Sequence, residues 1–199
     1  MNEEIATSSR YYGAVDDTRG LWKVDSRGPQ PIGNGTKAHF TSTTRGYAWM
    51  VGTETFLIVD VETLEVSPGG PAIAGIWLIT ESGAFPAAGW DDFVVVILGW
   101  WARALLTTIR SNSVRGRVHF MEGPHGVDVA ISSGILHFKF ISRDCEVGTG
   151  ESALIPFVNA LISQSRKILH ACRSREWWSA DADTLESLLG DLKREIAES

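Results

Sequence analysis

The chain has 199 residues, 44% of them hydrophobic and 21% charged, with a formal net charge of -6. These are globular proportions: they exclude disorder for the bulk of the chain and give enough length for one generous domain. An acidic surface repels phosphate backbones, which argues against nucleic-acid binding and favours a basic protein partner.

Two cysteines, Cys145 and Cys172, show no C-x-x-C spacing and read as reduced thiols. The opening Met1-Asn2-Glu3-Glu4 is acidic and lacks the basic-then-apolar order of a signal peptide, which points to the cytoplasm. Eight tryptophans supply core and interface mass, since an indole buries a large area and keeps one polar handle.

Residues 1–10 read as a flexible terminus, and residues 11–199 as one α+β domain. The β-rich part, 11–80, holds candidate strands Gly20–Asp25, Ala38–Thr41, Tyr47–Val51, Phe56–Val61 and Ile73–Thr80. Turn-formers separate them, including Ser26-Arg27-Gly28-Pro29, Gly33-Asn34-Gly35 and Pro68-Gly69-Gly70-Pro71. Asp60 to Val66 reads as a tight hairpin between two apolar runs. The second part, 90–197, is expected to run helix, meander, helix, helix.

Phe93 to about Arg110 is apolar on all sides and predicts a buried helix, with Asp91 or Asp92 as its N-terminal cap. The run falls short of the ~20 residues that span a bilayer and contains Arg103, so no membrane role is expected. Arg117–Glu122, Val127–Ser132 and Ile135–Ile141 alternate with period two, which predicts a three-stranded meander with one packed face and one wet or binding face. A helical stripe follows from Glu151 to Cys172, with Pro156 tolerated in its first turns. Trp177-Trp178 lies in the next connection, and Asp183 to Ala197 forms the last helix, capped by Asp181 or Asp183. The expected class is α+β: antiparallel sheet or sheets, a long central apolar helix, and two C-terminal helices packed on one face.

No cofactor motif is present. Gly33-Asn34-Gly35-Thr36-Lys37 leads into a strand rather than a helix, and Gly148-Thr149-Gly150 lacks a strand–turn–Lys pattern, so both read as turns. His119, Glu122 and His125 have an H-x-x-E-x-x-H spacing. On a strand an odd spacing sends side chains to opposite faces, so no metal site is expected from them. With His137, they are the seeds of an alternative reading as an enzyme whose site is assembled from dispersed residues. No G-x-S-x-G elbow occurs.

What remains is aromatic and acidic. Trp90, Asp91, Asp92, Trp177, Trp178, Asp181 and Asp183 gather at helix entries, and aromatic anchors ringed by charge are the material of interface hot spots. Three segments, "GWDDFVVVILGWWARALLTTIR", "VHFMEGPHGVDVAI" and "FVNALISQSRKILHACRSREWWSADADTLESLLGDL", together resemble the immunity proteins of bacterial polymorphic-toxin and contact-dependent inhibition systems. The resemblance covers about half the chain. It implies a non-catalytic inhibitor that binds a cognate protein toxin, with a basic cleft, and occludes its active site. A third expectation is self-association, as a homodimer or larger assembly that covers the apolar helix.

Overall fold

The computed structural model describes residues 22–25, 28–31, 54–111 and 115–198, which fall in two compact units, Met1–Gly52 and Thr53–Ser199. In the first unit, β1 (Trp22–Asp25) pairs antiparallel with β2 (Gly28–Pro31), Trp22 opposite Pro31. The described part of the expected strand Gly20–Asp25, Trp22–Asp25, therefore forms, and the Gly28-Pro29 pair expected in a turn is the start of a strand. The expected strands Ala38–Thr41 and Tyr47–Val51, the turn at Gly33-Asn34-Gly35 and the terminus 1–10 lie outside the described residues.

The second unit carries two antiparallel sheets. One is β3 (Phe56–Val66), β4 (Ala72–Thr80) and β5 (Gly83–Phe85), with β6 (Asp91–Phe93) also paired to β4. The other is a meander of four strands rather than the expected three, β7 (Gly116–His119, ending before the expected Glu122), β8 (His125–Ser132), β9 (Ile135–Ser142) and β10 (Cys145–Ala153). Three helices complete it: α1 (Val94–Ser111), α2 (Leu154–Ser174) and α3 (Ala180–Glu198). This is the expected α+β class.

Several local expectations are corrected. The hairpin expected at Asp60–Val66 is instead a bulge inside the single strand β3, where the register jumps between Asp60 and Glu65. Glu62 N–H donates to Asp60 Oδ1 at 3.0 Å, and Gly75 N–H donates to Thr63 Oγ1 at 2.8 Å, so side chains stand in for the missing ladder bonds. The reversal comes later, around Gly69, whose φ of 71° suits the glycine. Secondly, Asp91 and Asp92 are strand residues of β6 and do not cap α1.

Thirdly, Gly148-Thr149-Gly150 is not a turn but part of β10. Gly150 is bare because Thr55 runs alongside: a Cβ there would collide with Thr55 Oγ1 and lie 3.2 Å from the Phe140 ring. Thr55 N–H donates to Glu151 O at 2.6 Å, joining the segment before β3 to the outer edge of the meander. Fourthly, α3 is capped by Ser179, whose Oγ accepts from Ala182 N at 3.3 Å, with Asp181 and Asp183 in the first turn. Acidic side chains there complement the positive end of the helix dipole.

Helix α1 is the centre of the core. Val94, Ile97, Leu98, Trp101, Ala102 and Leu105 are all fully buried, each large one contributing roughly 1.5–3 kcal/mol by leaving water. Its outward row is Trp100, Arg103, Thr107 and Arg110, at the i, i+3, i+4 rhythm of one helix face. By length and composition alone this helix could cross a membrane, yet most of it is buried inside the protein. Strand β7 approaches α1 so closely that a Cβ on Gly116 would sit 3.0 Å from Ala104 Cβ. Phe138 of β9 packs 6.2 Å from the Trp101 ring, and Phe157 of α2 packs 5.6 Å from it.

Helix α2 begins at Leu154 rather than at the expected Glu151, which belongs to β10, and it has no capping side chain. Leu154 N–H donates instead to Gly134 O at 2.9 Å, and Pro156 has no first-turn N–H to satisfy.

Candidate functional site

The α2–α3 connection is built by the way α2 ends. Glu176 takes a left-handed φ of 57°. Its N–H donates to Arg173 O at 3.0 Å and Trp177 N–H donates to Cys172 O at 2.9 Å, the two bonds of a Schellman ending. That geometry turns the residue after the left-handed position back onto the helix. Trp177 is accordingly 8% exposed, and its Nε1 donates to Gly70 O at 3.0 Å. Arg175 donates to Leu64 O. These two bonds fasten the connection to the β3–β4 end, beside the exposed carboxylates of Glu62 and Glu65.

Trp178, one residue on, is half-buried and packs against the edge of the core. Its Nε1 donates to Asp183 Oδ1 at 2.7 Å, and the Arg173 guanidinium stacks 4.0 Å from its ring. Arg173 in turn makes a bidentate pair with Glu186 at 2.9 and 2.8 Å. The indole is thus held in one rotamer at the border of exposed Glu176, Asp181 and Asp183. Of the residues expected at a partner surface, Trp178, Asp181 and Asp183 come together here, while Trp177 serves the core.

The other expected group, Trp90, Asp91 and Asp92, divides differently. Asp91 is exposed, but Asp92 is fully buried. The Asp92 carboxylate accepts from Phe93 N at 2.7 Å, Met121 N at 2.9 Å, Glu122 N at 3.3 Å and Trp90 Nε1 at 3.4 Å. It ties the entry of α1 to the β7–β8 turn. His125 packs edge-on between Trp90 at 5.1 Å and Phe85 at 5.8 Å. Burial, and then the Arg143 guanidinium, hold its pKa below the ordinary 6.5. His119 and Glu122 are exposed and His125 is turned inward. Among the described residues no three His, Cys, Asp or Glu side chains gather where a metal could be held.

The meander has one apolar face, with Val118, Val127, Val129, Leu136, Phe138 and Phe140 buried. Its solvent face is a set of cross-strand polar pairs. Arg117 grips Asp128 with two hydrogen bonds, lowering the Asp128 pKa, and Lys139 Nζ meets Glu146 at 2.8 Å. His137 Nδ1 lies 3.0 Å from Glu151 Oε1, and its Nε2 lies 2.7 Å from Ser132 Oγ. An open concavity of about 510 Å³ takes in His137, Glu151, Ala130, Asp128 and Arg115. A second hollow of about 510 Å³ on α2 and α3 is lined by Arg166, Lys167, His170 and Lys193.

Sequence reasoning singled out His137 but not Ser132 or Glu151. Hairpin register carried the first clue: a two-residue turn at Ser133-Gly134 places 132 and 137 on one face as diagonal neighbours. Glu151 needed β10, which has no apolar alternation to reveal it. Both cysteines are free, Cys145 exposed and Cys172 buried, and burial pushes the Cys172 thiol pKa up.

No protein-family model, no curated protein and no solved structure matches this chain.

Proposed function

We propose that the chain is a protein-binding inhibitor of the immunity type, which engages a basic protein toxin through the α2–α3 connection and occludes its active site. One observation carries the reading: half-buried Trp178 is held by Asp183 and Arg173 next to exposed Glu176 and Asp181, in a connection that Arg175 and Trp177 fasten to Leu64 and Gly70. A pre-positioned indole contributes interface area with little further loss of rotamer freedom. The surrounding carboxylates speed encounter with a basic cleft and repel acidic competitors. The net charge of -6 supports the same sign of partner.

The test is affinity capture from the native proteome with the unmodified chain and with Asp181→Lys/Asp183→Lys/Trp178→Ala in parallel. The reading expects a stoichiometric basic protein with the unmodified chain and its loss with the variant. Equal recovery of that partner by both would remove this face from the account.

A further inference from the structure

We propose that Ser132, His137 and Glu151 form an acyl-transfer site on the solvent face of the meander, which takes a small activated ester. The three residues come from three adjacent strands. Register places His137 opposite Ala130 on one side and opposite Glu151 on the other, with Ser132 two residues along from Ala130. A long imidazole reaches both neighbours from there.

Donor and acceptor roles follow from the carboxylate. Ionised Glu151 can only accept, so the hydrogen of a neutral imidazole sits on Nδ1. The Nε2 lone pair then faces Ser132 Oγ at 2.7 Å, and the hydroxyl donates to it. Nucleophile, base and orienting carboxylate stand in the order that activates a serine. An open concavity of about 510 Å³ adjoins this line, and His137 and Glu151 border it together with Arg115, Lys139, Asp128 and Glu81.

The chemistry closes without any other reactant than water. Ser132 Oγ bonds to the ester carbonyl carbon as its proton passes to His137 Nε2. The carbon–oxygen bond to the leaving group breaks, and that oxygen takes the proton. Water then attacks the acyl-Ser132 ester, giving a proton to Nε2, and the released Oγ recovers it as the acid leaves. A positioned base contributes roughly 10²–10⁴-fold. His137 and Glu151 are 41% and 57% exposed, and solvent screening puts the site at the lower end of that range. Activated aryl esters are therefore its natural test substrates.

The site is tested with a fluorophosphonate probe and peptide mass spectrometry, with Ser133 as the internal control. The expected result is an adduct on Ser132 that forms at least tenfold faster than on Ser133 and slows at least tenfold in His137→Ala. Hydrolysis of phenyl acetate supplies a second readout: Ser132→Ala and His137→Ala should each slow it at least tenfold. Equal labelling of the two serines, or labelling indifferent to His137→Ala, overturns the proposal. It shares no residue with the partner surface, so its failure leaves that reading standing.

Discussion

Two short stretches look alike in sequence and are used in opposite ways. Trp90-Asp91-Asp92 and the Trp177–Asp183 segment each set tryptophan beside paired acids at a helix entry. In the first, the second carboxylate is fully buried and gathers backbone donors from another element. In the second, both carboxylates stay in solvent and one holds a half-buried indole. The difference lies in where the backbone delivers the side chains. Asp92 sits on a strand paired to β4, whose alternation turns it inward, whereas Asp181 and Asp183 stand in the first turn of a helix whose apolar stripe already fills the core. Residue type marks both as candidates; only the local backbone separates a structural carboxylate from an available one.

Breaking that comparison begins at Trp177. Trp177→Ala removes a buried indole and the Gly70 bond, and should cost about 3–5 kcal/mol in chemical denaturation. Trp178→Ala, one residue later, should cost about 1 kcal/mol. Equal losses at the two positions would contradict the division between core and surface. Next comes Asp92→Ala, which leaves Met121 and Glu122 N–H groups without their acceptor and should destabilise by about 3 kcal/mol. Asp91→Ala should stay within about 0.5 kcal/mol.

A smaller effect is expected in the pH dependence. The folded pKa of His125 lies below 6.5, so in the window beneath 6.5 the unfolded chain binds more protons than the folded one. Its contribution to stability is complete above pH 6.5 and is lost as pH falls through the depressed value. His125→Phe keeps an aromatic ring between Trp90 and Phe85 and should flatten the stability curve in that window. Asp128, lowered by Arg117, acts in the same direction but below its ordinary 3.8, so the two are separable by pH. An unchanged slope in His125→Phe would show that the imidazole titrates no differently on folding.

Much of the architecture was readable from period alone. The α1 run, the alternation of Val127–Val129 and Leu136–Phe138–Phe140, and the stripes of α2 and α3 are signals written by burial itself. The misreadings have physical causes. Paired aspartates before an apolar run look like a cap, and nothing local reveals that β4 recruits them as a strand. The Asp60–Thr63 bulge makes the same side-chain-to-backbone bonds as a turn, so it imitates a hairpin. Strand β10 is mostly solvent-facing and carries two glycines where Thr55 and Phe140 press close, and it therefore lacks the pattern of a strand. The Ser132–His137–Glu151 line depends on that strand and stayed hidden with it.

The measurement closest to the central claim is the affinity of the captured basic partner for single charge reversals, as a function of salt. Asp181→Lys and Asp183→Lys should each weaken binding at least tenfold at low salt and reduce its salt dependence, with Asp91→Lys near the unmodified chain. Affinity that falls for Asp91→Lys and holds for the other two would contradict the account and move the interface to the β6 side of the molecule.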